Sequence, residues 1–250
     1  MFQRLLRAAA VIGVLLLCWQ VAIWFFRPPG FLLPAPAKVG HVFISQPGHI
    51  GRNALTTIGE MLLGLVIGGA AGMAIAIVLA RSPLMERYLL PVVVTTQTLP
   101  VFAIAPVLVI WFGLGIGSKI VMASLIIFFP VASALYDGLR RTPQTWLDLA
   151  ESWGATRRQV FWRIRFPGAL PSLVTGLKLA AVIAPIGAVV GEWAGAAGGL
   201  GFVMLQANAR TQMDVVFAAL IVLAVCAFVL RYLVSRLGDR LIWWAIHAEN

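Results

Sequence analysis

Long apolar runs, separated by short polar stretches, dominate the chain. Six of them come close to the ~20 residues a helix needs to cross a bilayer. They cover 8–26, 58–80, 89–112, 119–137, 171–191 and 215–235. Arg4 and Arg7 ahead of the first run resemble the charged start of a signal peptide. The Phe25, Phe26, Arg27, Pro28 stretch at its far end has no small-residue cleavage site, so the run is expected to be a retained anchor. Pro91, Pro100 and Pro106 fall in or beside the third run, Pro130 in the fourth and Pro185 in the fifth. They predict broken helices whose freed carbonyls face neighbouring helices or a water-lined pathway. The second run carries Gly64, Gly68, Gly69 and Gly72, including small residues four apart that let helix backbones approach; packing is the expected role.

Composition strengthens this picture. With 61% hydrophobic and only 11% charged residues, the chain has too little polar surface to cover a soluble globule. A net charge of +10 raises nucleic acid as a partner, but the position of the charges removes the need for one. With the N-terminus in the cytoplasm, thirteen of the nineteen basic residues lie inside: Arg4, Arg7, Arg81, Arg87, Arg140, Arg141, Arg157, Arg158, Arg163, Arg165, Arg231, Arg236 and Arg240. Arg27, Lys38, Arg52, Lys119 and Arg210 lie outside, and Lys178 sits within the fifth run. This asymmetry predicts two cytoplasmic termini. Cys18 and Cys226 both lie in apolar runs and read as small hydrophobes.

One substantial inside loop remains, at about 140–170. Thr142 is a candidate cap for a first short helix, Pro143 suits its first position, and Gly154 can take the left-handed conformation that ends it. Thr156 through Gln159 fits a capping box opening a second helix, which is expected to end near Pro167. Leu149 and Trp153 are four apart on the first helix, as are Val160 and Ile164 on the second, so each carries an apolar stripe. About thirty residues cannot bury these stripes in a core of their own, which predicts a docking partner or the ends of neighbouring spans. A basic helix–turn–helix reading fails because both ends are tethered to spans and no recognition helix is free to enter a groove.

The loop is similar to the cytoplasmic EAA loop of binding-protein-dependent ABC importer permeases. That pattern reads Glu-Ala-Ala, three residues, Gly, nine residues, then Ile-x-Leu-Pro. Here Asp148, Leu149 and Ala150 precede Gly154, and Ile164, Phe166 and Pro167 close the segment. Gly154, Ile164 and Pro167 match; Asp148, Leu149 and Phe166 depart from Glu, Ala and Leu while Asp148 keeps the charge and Phe166 the apolar bulk. The resemblance runs from the Phe-Leu-Leu-Pro-Ala-Pro-Ala-Lys segment at 31–38 to the sixth span. It points to the branch importing nitrate, sulfonates, taurine and thiamine-pyrimidine precursors. Gly-Glu-Trp-Ala-Gly-Ala-Ala-Gly-Gly-Leu-Gly at 191–201, followed by 204–210, most resembles hydroxymethylpyrimidine permeases.

The resemblance implies an all-α membrane protein with six transmembrane helices and the MetI-like type I importer fold. It implies an anchor and connector over 1–57, a permease domain over 58–235 and a tail over 236–250. The chain would bind no cofactor itself; ATP and Mg would sit on a partner ATPase, in two copies facing a permease homodimer, with a soluble binding protein delivering substrate. Bacterial inner membrane is the implied location. Asp148, Leu149, Ala150, Trp153, Gly154 and Ala155 would contact the ATPase, with Arg157 and Arg158 at the edge, and Ile164, Phe166 and Pro167 would seat the loop.

Catalytic chemistry is not indicated. The glycine-rich stretch at 113–119 lacks phosphate-loop spacing. His41, His49 and His247 are scattered without metal-ligand spacing. Among ionisable residues at membrane depth, Lys178 is expected to snorkel to the headgroups. Glu192, Trp193 and Asn208 are expected to meet the pathway or the binding protein, with Glu192→Gln impairing transport but hardly affecting assembly. The rival reading, an ion-coupled secondary transporter, would show inverted repeats and mid-membrane carboxylates, and neither signal is clear.

Overall fold

The computed structural model describes residues 2–97, 100–195 and 197–246; His247 lies outside them. Helices account for nearly all of it. The first, α1 (Phe2–Phe26), stops at Arg27, which adopts a positive φ of 46° immediately before Pro28. A short α2 (Pro36–Ser45) then leads into α3 (Pro47–Arg81). The next elements are α4 (Pro83–Thr96), α5 (Val101–Phe112) and α6 (Ile116–Arg140). Beyond them lie α7 (Gln144–Ser152), α8 (Arg157–Val160), α9 (Phe166–Gly195), α10 (Leu200–Ala209), α11 (Met213–Leu241) and α12 (Trp243–Ile246).

Among the described residues, four stretches are long and apolar enough to cross a membrane: Pro47–Arg81, Ile116–Arg140, Arg157–Gly195 and Met213–Leu241. The expected third span is instead two helices. Pro100, extended at φ −62° and ψ 117°, caps α5 and has no N–H with which to continue α4. At 14 and 12 residues these pieces reach only about 21 and 18 Å, less than the ~30 Å hydrocarbon thickness. The other prolines do not break their helices. Pro91, Pro106, Pro130 and Pro185 all lie inside continuous helices; Pro185 is buried against its neighbours, whereas Pro91 and Pro106 stand on exposed faces.

That packing is the centre of the fold: α6 lies between α3 and α9. The α3 glycines allow it. A Cβ on Gly64 would meet Ala123 Cβ at 2.5 Å, one on Gly68 the Ser124 carbonyl oxygen at 2.6 Å, and one on Gly72 the Phe128 carbonyl oxygen at 2.5 Å. Gly187 does the same from α9, 2.8 Å from Ala123 Cα. Without a hydrophobic drive between helices in lipid, such backbone contact supplies the dispersion that holds the bundle together. Met61, Ile127, Val131, Leu135 and Leu173 fill the buried core between these helices. The outward faces of α1 and α11, with Leu17, Trp24, Phe25, Val225 and Phe228, are exposed and apolar, as lipid requires.

Candidate functional site

The loop between α6 and α9 is built by local rules. Thr142 does not cap α7; its hydroxyl donates to the Leu139 carbonyl, and Pro143 takes the N-cap position instead. Pro143 precedes the helix with an extended ψ of 134°, so it serves as the stop between two helices rather than as the first helical residue. The far end matches expectation. Gly154 has φ +73°, its N–H donates to Glu151, and the Ala155 N–H reaches back to Ala150. These two bonds form a Schellman closure, which favours glycine at that position. The Thr156–Gln159 capping box is complete, with each side chain satisfying the other residue's backbone N–H.

The second helix does not end near Pro167. It passes through a π-helical turn, Phe161–Arg165, and continues as α9, giving one unbroken apolar helix over Arg157–Gly195. Pro167 stands inside this continuous helix, directly after the π-helical turn, in which the Phe166 N–H reaches the Phe161 carbonyl five residues back; such a local widening accommodates a residue without an N–H. The loop's second helix and the span are thus parts of one continuous helix.

The residues assigned to coupling fall into two groups. Leu149, Ala150, Trp153, Ala155, Ile164 and Pro167 line one apolar groove of about 520 Å³ between α7 and the start of α9. Leu149 is 53% and Trp153 81% exposed, so the apolar stripe on α7 has no cover among the described residues. Trp146 and Trp244 belong to the same groove. Trp146 was legible as the first position of an i, i+3, i+4, i+7 stripe with Leu149, Ala150 and Trp153. Trp244 comes from α12, and only the return of α11 brings it there. Arg157 and Arg158 line a different cavity, Phe166 packs into the core beside Trp162 at 5.2 Å, and Asp148 accepts a hydrogen bond from Gln144.

At the opposite end of the bundle, three ionisable residues are buried together. Lys119, counted from sequence as an outside loop charge, is 5% exposed on α6. Its Nζ lies 2.8 Å from Glu60 of α3 and donates to the Gly198 carbonyl at 3.1 Å. Gly191 lets the α6 and α9 backbones close over it. Glu192, 1% exposed, accepts hydrogen bonds from Thr57 Oγ1 at 2.6 Å and from the Gly201 N–H. Thr57 Oγ1 accepts from the Leu200 N–H, and Asn53 from the Gly199 N–H. Glu192, Thr57 and Asn53 thus cap the N-terminus of α10 from other helices, and a carboxylate is the group that a helix N-terminus favours. Gly199, at φ +115°, and Gly201 are needed because a Cβ on either would overlap the Glu192 carboxylate.

The 191–214 segment therefore turns back as α10 and packs on α11 through Leu200, Val203 and Ala207. Trp193 is 46% exposed and donates to the Gly201 carbonyl; Asn208 lies exposed at the end of α10. Lys178 does not snorkel. Its ammonium is 2.6 Å from Asp239 of α11, tying α9 to α11.

Burial of Glu192 changes the expected outcome of Glu192→Gln. A glutamine presents one acceptor oxygen where the carboxylate used two, leaving either Thr57 or Gly201 opposite an amide NH₂. The loss should be about 1–3 kcal/mol, seen as a lower thermal midpoint of the detergent-solubilised protein together with reduced uptake. A wild-type midpoint with abolished uptake would instead give Glu192 a direct part in transport.

Comparison with known proteins agrees with this architecture. Residues 61–243 match the family described as "Binding-protein-dependent transport system inner membrane component". A probable ABC transporter permease protein of Haemophilus influenzae is 44% identical, covering 96% of this chain and 98% of its own. The formylaminopyrimidine transport permease protein ThiX of Halalkalibacterium halodurans is 33% identical over 92% of each chain. The taurine transport system permease protein TauC of Escherichia coli is also 33% identical, over 92% of this chain and 86% of its own. A chain of the MetNI methionine ABC transporter superposes with a TM-score of 0.69 at 20% identity, covering 78% of this chain and 98% of that one.

Proposed function

The chain belongs to the binding-protein-dependent transport system inner membrane components, a non-catalytic permease subunit of an ABC importer, and on that premise we propose that it carries a thiamine pyrimidine precursor of the hydroxymethylpyrimidine type. The family implies a separate ATPase and a substrate-binding protein as partners. Support for the substrate comes from the 191–210 segment and from similarity to the formylaminopyrimidine permease. The equal identity to a taurine permease makes taurine or another sulfonate the second reading. An ion-coupled carrier is set aside by the family.

In this reading the exposed stripe of Trp146, Leu149 and Trp153 enters a groove on the ATPase. The permease works as a homodimer with two ATPase copies, and the 140–170 loop and both termini face the cytoplasm. The observation that carries it is an uncovered apolar groove at the base of a helix continuous with a span. ATP-driven approach of the ATPase subunits would move α7 and α8, and the rigid continuation would pass that motion to α9.

Two measurements test the proposal. Reconstituted with its ATPase and binding protein, the transporter should hydrolyse ATP faster when the binding protein carries the pyrimidine than when it carries taurine; the reverse order selects the sulfonate reading. Leu149→Glu places a charge in the apolar groove without touching the core. Stimulated hydrolysis should fall about tenfold or more, as for loss of an interface anchor, while the permease alone keeps its elution profile. Stimulation within about twofold of wild type would remove the loop from the coupling path.

A further inference from the structure

A second cavity, of about 560 Å³, opens beside the coupling groove where the end of α3 meets α7 and α8. Arg81, Arg157, Arg158 and Arg165 line it, with Glu151 as its one acidic residue. None of these four guanidiniums has a carboxylate within 4 Å among the described residues, and neither does Glu151 pair with any of them. The Arg165 Nε is buried without a hydrogen-bond partner. Arg81 is held in place by stacking, its guanidinium 5.2 Å from the Phe161 ring centroid and 5.9 Å from that of Trp162.

Positive-inside bias accounts for arginines on this side of the bundle, but not for four around one cavity with a desolvated donor among them. A buried N–H without an acceptor calls for a missing partner. The planar fork of a guanidinium matches the paired oxygens of a phosphate, and basic pockets beside the cytoplasmic ends of spans suit anionic headgroups. We propose that this cavity binds a phosphate-bearing anion, whose oxygens satisfy Arg165 and are enclosed by Arg81, Arg157 and Arg158. The chemistry is shared by an anionic phospholipid headgroup and by free phosphate. Occupation would brace α8 against the end of α3, next to the π-helical turn that leads into α9. The proposal concerns the permease chain alone and stands or falls separately from ATPase docking.

The test uses the full chain in nanodiscs. In phosphatidylcholine discs, inorganic phosphate is titrated; in a parallel arm, phosphatidylglycerol replaces part of the lipid, and the thermal midpoint is read in both. A rise with phosphate identifies a soluble anion, and a rise with phosphatidylglycerol alone identifies a headgroup. Arg165→Gln should weaken the effective ligand about tenfold or more, the factor for one lost charge-assisted hydrogen bond. In ligand-free discs it should be at least as stable as wild type, because it removes an unpartnered charge. Arg81→Gln, at the exposed rim, repeats the test without altering a buried position. Equal responses of wild type and both variants, or no response in either arm, would overturn the site. So would a cluster that matters only for holding the ATPase.

Discussion

Lys119→Ala should be the most damaging single substitution on the opposite face of the bundle from the coupling loop. It leaves Glu60 fully buried with no cation and Gly198 without a donor to its carbonyl. Removing one partner of a buried pair costs about 3–5 kcal/mol, because the remaining charge has neither water nor partner. The expected result is a large fall in thermal midpoint in detergent and little protein recovered from the membrane. The double variant Lys119→Met with Glu60→Gln should regain much of the loss, since it removes both charges together. If Lys119→Ala alone keeps the wild-type midpoint, the ionic cluster is not what holds α3 to α6.

Gly68→Val comes next, with an effect of steric origin. Its Cβ would lie 2.6 Å from the Ser124 carbonyl oxygen and 2.9 Å from Ser124 Cα, both backbone atoms that cannot move aside without shifting α6. Because α6 is held from the other side by Gly187, there is no free direction for it to move. Overpacking a close-packed interior costs about 1–3 kcal/mol even where side chains yield, and a backbone clash exceeds that range. The variant should fail to give a monodisperse peak in size-exclusion chromatography. Gly59→Val, in the same helix with nothing within 4 Å of its added Cβ, is the control and should behave as wild type. Equal behaviour of the two would mean that the glycine ladder does not set the interhelical distance.

Much of the local geometry of the 140–170 loop was legible because its signals are local. A capping box, a glycine at a Schellman closure and an apolar i, i+3, i+4, i+7 stripe depend on neighbours a few residues apart. The exceptions show what local rules miss. Thr142 and Pro143 looked like an N-cap and first position, yet the preceding helix claimed the Thr142 hydroxyl. Pro167 looked like an end because prolines stop helices, but directly after the π-helical turn the helix runs on through it.

Long-range partners were the harder part. Lys119 appeared to be a loop charge because it stands at the edge of an apolar run, and Lys178 a snorkelling side chain. Both are paired with acids 59 and 61 residues away. Glu192 stood out as an ionisable residue at membrane depth, but its role as a cap for α10 needs Thr57, 135 residues distant.

By itself, then, the sequence determined that the chain lies in a bilayer, which loop carries the exposed apolar stripe and where that loop bends, since hydrophobic run length and capping chemistry act within a turn or two of the chain. Only the tertiary structure decided which prolines break helices, which charges are neutralised and what the Gly-rich 191–201 segment is for. Those outcomes depend on which backbones come within van der Waals reach, and residues far apart in sequence, such as Gly64, Ala123 and Gly187, settle that together.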